Sequence, residues 1–432
     1  MILYSHTITA RLQYISDFIG NEISGKPIEL TSETDVFRNY SDAKINYSNE
    51  RISPEEIFIK PHSLLFEKNI HQPKINCFEI NGDKAFFKTE GDLSFDVFAA
   101  SFYLLSRYEE YLPHKKDNYG RYAFENSLAY QAKFLHLPLI NIWLKNFAER
   151  VKQKFPLFSI SFSPFAFIPT YDIDEAYSYK HKGFVRTAGG TAKQLINGKW
   201  NLLKERFSVL KNKKQDPYDS YQWMDELHEK YKLKPTYFFH VAAKNGKYDK
   251  NILPSQPAMQ QLIKQYSEKY SIGIHPSWQS GDNELLLKDE MKTLENLSGR
   301  KITASRQHYI RFTLPETFRL LIQSGVKKDY SMGYGSINGF RASVASPFKW
   351  YDLQKEEQTG LELFPFCFMD ANSFYEQKFS VLQALDEMRY YRSSIQSVNG
   401  TMITIWHNNF LGTEKLFNGW KEVYEQFLRE TC

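Results

Sequence analysis

From about residue 161 onward the chain alternates short apolar runs of strand character with helical patterns, and this alternation constrains its fold more than any other feature. Strand candidates fall at 165–174, 235–242, 271–278, 302–309, 325–332, 361–370 and 401–409. Between them, apolar residues recur at helical spacing in 220–232, 259–270, 284–297, 315–325 and 381–398. Strands that alternate with helices pack as a parallel sheet or barrel, so an α/β architecture is expected for this part of the chain.

Nearly every strand candidate ends in a charged or imidazole side chain: Asp172 and Asp174, His240, His275, Arg306 and His308, Asp329, Asp370, and His407. In parallel α/β folds the carboxyl ends of the strands converge on one face, where sites are built. Seven such strands would bring these groups into one basin.

The first ~160 residues read differently. They hold brief β-like runs at 28–30, 57–60 and 74–80, an amphipathic pattern over 95–112, and a second helical pattern over 137–155 that stops at Pro156. We expect a smaller N-terminal α/β domain over 1–160 and a second domain over 161–432. The latter is interrupted at about 180–215 by a strongly basic insertion opposed only by Glu205. A solvated helical hairpin is expected there, able to contact an anionic sugar or a lipid headgroup and so touch a membrane peripherally.

Composition removes several function classes. The net charge of +5 on 432 residues, with no long basic arm, does not predict a nucleic-acid partner. Cys77, Cys367 and Cys432 are odd in number and far apart, against both a disulfide framework and a thiolate metal site. Arg11 and Asp17 interrupt the N-terminal apolar stretch, and no segment approaches the roughly 20 apolar residues that cross a bilayer. A cytoplasmic, reducing location is expected.

The residues themselves suggest chemistry. Asp172 and Asp174, two apart on a strand, share one face, so one can bind a cation while the other acts as base. The same D-x-D spacing also holds a metal-diphosphate in many glycosyltransferases. His275, after an apolar run, offers a neutral nitrogen to zinc. Arg306 and His308 also share a face, the first suited to orienting a carboxylate and the second a candidate ligand. His407 could carry a proton to a leaving group. Trp278, Tyr309 and Tyr334 are candidate floors for sugar rings, whereas Trp406 reads better as core packing.

Taken in order, TYDID, HPSWQ, RQHY, DYSMGY and ITIWHNN resemble the five motifs of the polysaccharide deacetylase family, the NodB-homology or carbohydrate esterase 4 fold. The resemblance covers the C-terminal ~265 residues and implies a distorted (β/α)7 barrel and a divalent metal, zinc above all. By motif position it implies Asp172 as catalytic base, Asp174 and His275 as metal ligands, Arg306 as the arginine that pairs with the base, and His407 as general acid. The backbone N–H of Tyr309 is a candidate to share the oxyanion. The family's second motif carries another histidine four residues after the first. Here that position is Gln279, so His308, or alternatively His240, is expected to complete the metal set. The N-terminal region resembles one that accompanies deacetylase-like domains in Bacteroidetes.

The resulting expectation is a metal-dependent hydrolase that removes an acetyl group from an N-acetylated (or O-acetylated) sugar of a polysaccharide or glycan precursor. Two rivals stand beside it. One is a degenerate, glycan-binding member of the same fold, suggested by Gln279. The other is a glycosyltransferase that uses Asp172 and Asp174 for a metal-diphosphate.

Overall fold

The computed structural model describes residues 1–432. Near the N-terminus, the strands Glu29–Thr31, Ile2–Tyr4, Lys44–Tyr47 and Ile57–Ile59 lie side by side in that order, all parallel. Helix Ala10–Ser24 packs against the helices Val97–Leu105 and Leu139–Lys154. Its N-cap Thr9 accepts from the Leu12 N–H, and Gly25, at φ 69°, ends it in the left-handed conformation. Of the run 74–80 only Phe78–Ile80 is strand, and it forms a hairpin with Asp83–Ala85. The turn is Asn81-Gly82, both at positive φ, as a two-residue hairpin loop requires.

The pattern over 95–112 is not one amphipathic helix. The helix spans Val97–Leu105 and is buried on every side. The chain then turns through Arg107, at φ 52°, into a short 3-10 segment, Tyr108–Tyr111. Arg107 is held there by buried ion pairs to Glu109 and Glu110, which override the helical spacing of the apolar residues. The second predicted helix is observed as Leu139–Lys154.

The C-terminal part is built on a nine-stranded sheet. In spatial order its strands are Phe348–Asp352, Glu357–Leu363, Lys328–Asp329, Ala304–Ser305, Ser271–Ile274, Thr236–Phe239, Ala166–Ile173, Thr401–His407 and Phe368–Met369. All neighbours are parallel except the edge strand Phe348–Asp352, which the seven sequence candidates did not include. The sixth candidate, 361–370, divides. Its first half lies beside Lys328–Asp329 and its last residues beside Thr401–His407, so this one run leaves one flank of the sheet and rejoins the other. Pro365, which has no N–H, stands in the gap. Around it Phe366 N donates to Met332 O (3.2 Å) and Cys367 N to Ile403 O (3.2 Å).

All five helices predicted between the strands are present, the basic insertion forms two more, Gly183–Ile196 and Trp200–Leu210, and a further helix, Trp420–Thr431, packs Phe427 against Phe167 of the strand Ala166–Ile173. One buried apolar cluster extends from Leu3 to Leu428 through both sheets. Tyr14 and Phe102, on two N-terminal helices, pack on Tyr351 at 4.9 and 5.2 Å between ring centres, and the Tyr14 hydroxyl donates to Lys349 O. The N-terminal helices thereby cover the edge strand that would otherwise be open to pairing. No helix is long and apolar enough to cross a membrane.

Candidate active site

Several of the parallel strands deliver polar terminal residues to one cleft of about 470 Å³, lined among others by Asp172, Asp174, His275, His308, Tyr309 and His407, whereas Asp329 is buried outside that lining and accepts from the Ser305 and Ser331 hydroxyls. Strand register explains the first meeting. Thr401–His407 and Ala166–Ile173 are neighbours with His407 opposite Asp172, and Asp174 follows one turn-forming step beyond the strand end. His275 and Arg306 continue the strands Ser271–Ile274 and Ala304–Ser305, donating their backbone N–H groups to Phe239 O and Ile274 O at 3.0 Å each.

Asp174 is the centre of the arrangement. Nε2 of His275 lies 3.1 Å from its Oδ1, and Nε2 of His308 and of His407 lie 3.5 and 3.6 Å from its Oδ2. Nδ1 of His275 is 2.6 Å from the carbonyl oxygen of Arg306, which can only accept, so the proton of this ring sits on Nδ1. Nδ1 of His308 likewise faces the Asp249 carboxylate at 3.1 Å. Both Nε2 atoms are therefore the free ring positions, and Asp174 Oδ1 is a buried oxygen without a hydrogen-bond partner. Acceptors that face one another in this way need a cation or a proton between them.

The electrostatics agree with that geometry. Burial opposes ionisation of Asp174, but the His308 and His275 imidazoles outweigh it and hold the carboxyl well below its usual range. Burial likewise opposes protonation of His308, yet Asp174 and Asp249 raise it to about 9. The third candidate imidazole, His240, is pushed down by burial and by its imidazole neighbours, and its Nε2 is 3.5 Å from Asp249. Its Nδ1 contacts the His275 carbonyl at 3.2 Å, and it groups with Asp249 and His308 rather than with Asp174.

Asp172 is held apart from this cluster. Its Oδ1 accepts from Nη1 of Arg306 at 2.8 Å, and its Oδ2 lies 3.9 Å from His275 Nε2. Arg306 is fully buried, with Nε donating to Tyr330 O and its guanidinium 4.4 Å over the Phe238 ring. On the opposite wall, Asp370 grips His407 twice, accepting from its backbone N–H (2.7 Å) and from Nδ1 (2.6 Å). Burial disfavours the imidazolium of His407, but Asp370 prevails and raises it to about 10, so Nε2 presents a proton to the cleft.

Several residues in or beside the cleft carry no signal at a strand end. Asp249 arrives on the loop after Thr236–Phe239, and only its position between His240 and His308 distinguishes it from other loop acids. Tyr119 and Arg121 come from the N-terminal part. Arg121 donates to Tyr309 O (2.8 Å), and Tyr119 stacks on the Tyr309 ring at 5.4 Å. These contacts brace a strained segment, because Tyr309 and Ile310 both have φ near +55° (59° and 54°), which non-glycine residues seldom adopt.

The aromatic expectations divide. Tyr309 lines the cleft. Trp278 does not; it lies behind the rim, stacked on the lining residue Tyr248 at 4.0 Å. Tyr334 is buried in the core, its ring 5.2 Å from the Arg341 guanidinium and its hydroxyl beside Arg107, so it offers no floor to a ligand. Gln279 is exposed on the turn beyond His275 and faces none of these groups; the imidazole beside Asp174 and His275 is that of His308.

Residues 1–156 match the model of a family of unknown function, DUF7033. No curated protein matches the chain. Among solved structures the chain is similar to a Mycobacterium smegmatis protein assigned as a polysaccharide deacetylase, at 12% identity over 62% of this chain and 84% of that one, TM-score 0.40. It is also similar to a polysaccharide deacetylase from Bacillus cereus, at 12% identity over 62% of this chain and 88% of that one, TM-score 0.31. A Pseudomonas aeruginosa protein assigned to the same activity is similar at 12% identity, over 62% and 84% of the two chains, with a TM-score of 0.38.

Proposed function

We propose that this protein is a metal-dependent hydrolase that removes an acetyl group from an N-acetylated or O-acetylated sugar, working on a distorted (β/α)7 barrel. The barrel reading is supported by the run 357–369, whose two halves pair with opposite flanks of the sheet and so bring the parallel strands round on themselves. One observation carries the function: the Asp174 carboxylate faces the Nε2 atoms of His275 and His308, with an arginine-bound aspartate and an aspartate-bound histidine on either side.

Asp174, His275 and His308, whose ligand atoms lie within 4.8 Å of one another, would hold the metal. Two imidazoles and a carboxylate are a donor set that suits zinc with a position left open, and each imidazole has its other nitrogen tied to an acceptor, as ligating histidines do. A bound zinc would supply Lewis acidity toward the acyl oxygen and acidify a water. Asp172 takes the proton of the attacking water on Oδ2, the oxygen that Arg306 leaves free, while Arg306 fixes the orientation of the carboxylate. His407 gives the Nε2 proton to the departing amine or alcohol, and Asp370 keeps that imidazole protonated and aimed. Tyr119, Tyr248 and Tyr309 offer aromatic faces at the mouth for a sugar ring.

The glycosyltransferase reading is disfavoured because Arg306 neutralises one of the two carboxylates that a metal-diphosphate would need. Metal content by mass spectrometry, paired with acetate release from acetylated chito-oligosaccharides, tests the proposal. Near-stoichiometric zinc in the wild type, lost together with acetate release in Asp174→Ala, is the expected result. Failure to load any divalent metal would sink it, and metal loading without acetate release would leave the glycan-binding alternative.

A further inference from the structure

The helix Gly183–Ile196 carries its apolar residues outward, while its partner Trp200–Leu210 buries Leu203 and Val209 and leaves Trp200 exposed. No residue of the first helix is buried. Its inner side is polar. Arg186 donates to the carbonyl oxygens of Lys250 and Asn251, and Gln194 accepts from Nε of Arg206, whose guanidinium in turn stacks on Tyr179 at 4.7 Å. The outer side bears Phe184, Val185, Ala188, Ala192 and Ile196, whose spacing places them on one stripe of the helix. Phe184, Val185 and Ile196 are 87%, 82% and 84% exposed, and Trp200 at the start of the second helix is 61% exposed. A surface helix of a globular protein ordinarily turns such a stripe toward the core.

The charge around the stripe indicates what covers it. Residues 180–214 contain ten lysines and arginines and one acid, an excess larger than the net charge of +5 of the whole chain. Only Lys182 and Lys214 are ion-paired, to Glu175 and Glu205. An apolar stripe flanked by unpaired lysines, with a tryptophan at its edge, is suited to the interface of an anionic bilayer. A second copy of the chain would instead bring two patches of the same sign together. We infer that this helical pair docks the protein on an anionic phospholipid membrane, with Phe184, Val185, Ile196 and Trp200 in the headgroup–acyl boundary and the lysines on the phosphates. The surface adjoins the mouth of the cleft, since Lys182 is bound to Glu175 and Arg186 to the carbonyl of Lys250, both of which line it. Docking stands independently of the hydrolase reading, because its test reads partition and not turnover.

The experiment is co-sedimentation of the full chain with vesicles of phosphatidylcholine and phosphatidylglycerol, beside vesicles of phosphatidylcholine alone. The wild type is expected to pellet with the anionic vesicles only, and less so as salt is raised. Phe184→Glu with Ile196→Glu should cut the bound fraction at least about tenfold, since two apolar anchors become anions. The thermal midpoint should be unchanged, since both positions are exposed. Lys193→Glu with Lys199→Glu should weaken binding to anionic vesicles as well. A wild type that stays in the supernatant with anionic vesicles overturns the inference, as does equal binding to neutral ones. A concentration-dependent dimer in light scattering that the Phe184→Glu, Ile196→Glu variant dissolves would assign the stripe to a second copy instead.

Discussion

Asp172 and Arg306 are both buried, and each is the other's only charge partner at hydrogen-bond distance. Replacing one member of such a pair strands the other. Asp172→Asn is therefore expected to abolish acetate release and also to cost about 3–5 kcal/mol of stability, read from chemical denaturation. An inactive variant of unchanged stability would show that Arg306 has found another partner. His308 makes a second prediction. It is raised to about 9 and must lose its proton before Nε2 can bind a metal. Zinc affinity should consequently climb with pH by up to about tenfold per unit until pH approaches 9, with one proton released on binding. Calorimetry in buffers of different ionisation enthalpy measures that proton, and a pH-independent affinity would exclude His308 as a ligand.

The segment around Tyr119 and Arg121 is an element that reaches from the N-terminal part into the cleft. Arg121 is anchored to Asp117 at 2.6 Å and clasps the Tyr309 carbonyl, which leaves the Tyr119 ring stacked on that of Tyr309. A sugar that packs on this aromatic edge would gain about 1 kcal/mol from each ring. Tyr119→Ala should accordingly raise KM roughly fivefold with little change in kcat, because the ring is remote from the transferred proton. A fall in kcat at constant KM would assign the segment to the chemistry instead. In the helix Gly183–Ile196 the reversed amphipathic pattern cannot be seen from periodicity, because a stripe has the same spacing whichever way it faces.

Across the whole molecule, the two parts of the chain are joined by a buried ionic cluster. Glu110 is bound by Arg107 (2.7 Å) on its own segment and by Arg341 (2.8 and 2.6 Å) on the other. Burial favours the neutral acid, but the two guanidiniums dominate and depress Glu110 to about 2 from its ordinary 4.5. A carboxylate depressed in the folded state stabilises the fold fully above pH 4.5, and that contribution disappears as pH falls through 2. Glu110→Gln should lower stability by about 3–5 kcal/mol at neutral pH and flatten the acid limb of the stability profile. Equilibrium unfolding between pH 2 and 7 measures both. An acid limb that is the same in variant and wild type would remove Glu110 from this role.

Local periodicity carried much of the architecture. The helices over 137–155 and 381–398, the strand leading to Asp172, and the shared face of Asp172 and Asp174 all follow from spacing and side-chain direction, which are properties of a few consecutive residues. It failed where distant groups overruled it. Buried carboxylates around Arg107 cut short the pattern over 95–112, and Pro365 split the run 361–370 between two flanks of the sheet. The site was legible as a set of strand-end residues but not as an arrangement. That His308 faces Asp174, that Asp249 approaches from a loop, that Asp370 grips His407, and that Tyr119 and Arg121 enter from the N-terminal part depend on contacts across 37 to 190 residues. Spacing along the chain determines which face a residue occupies, whereas the packing of one complete core determines which faces meet.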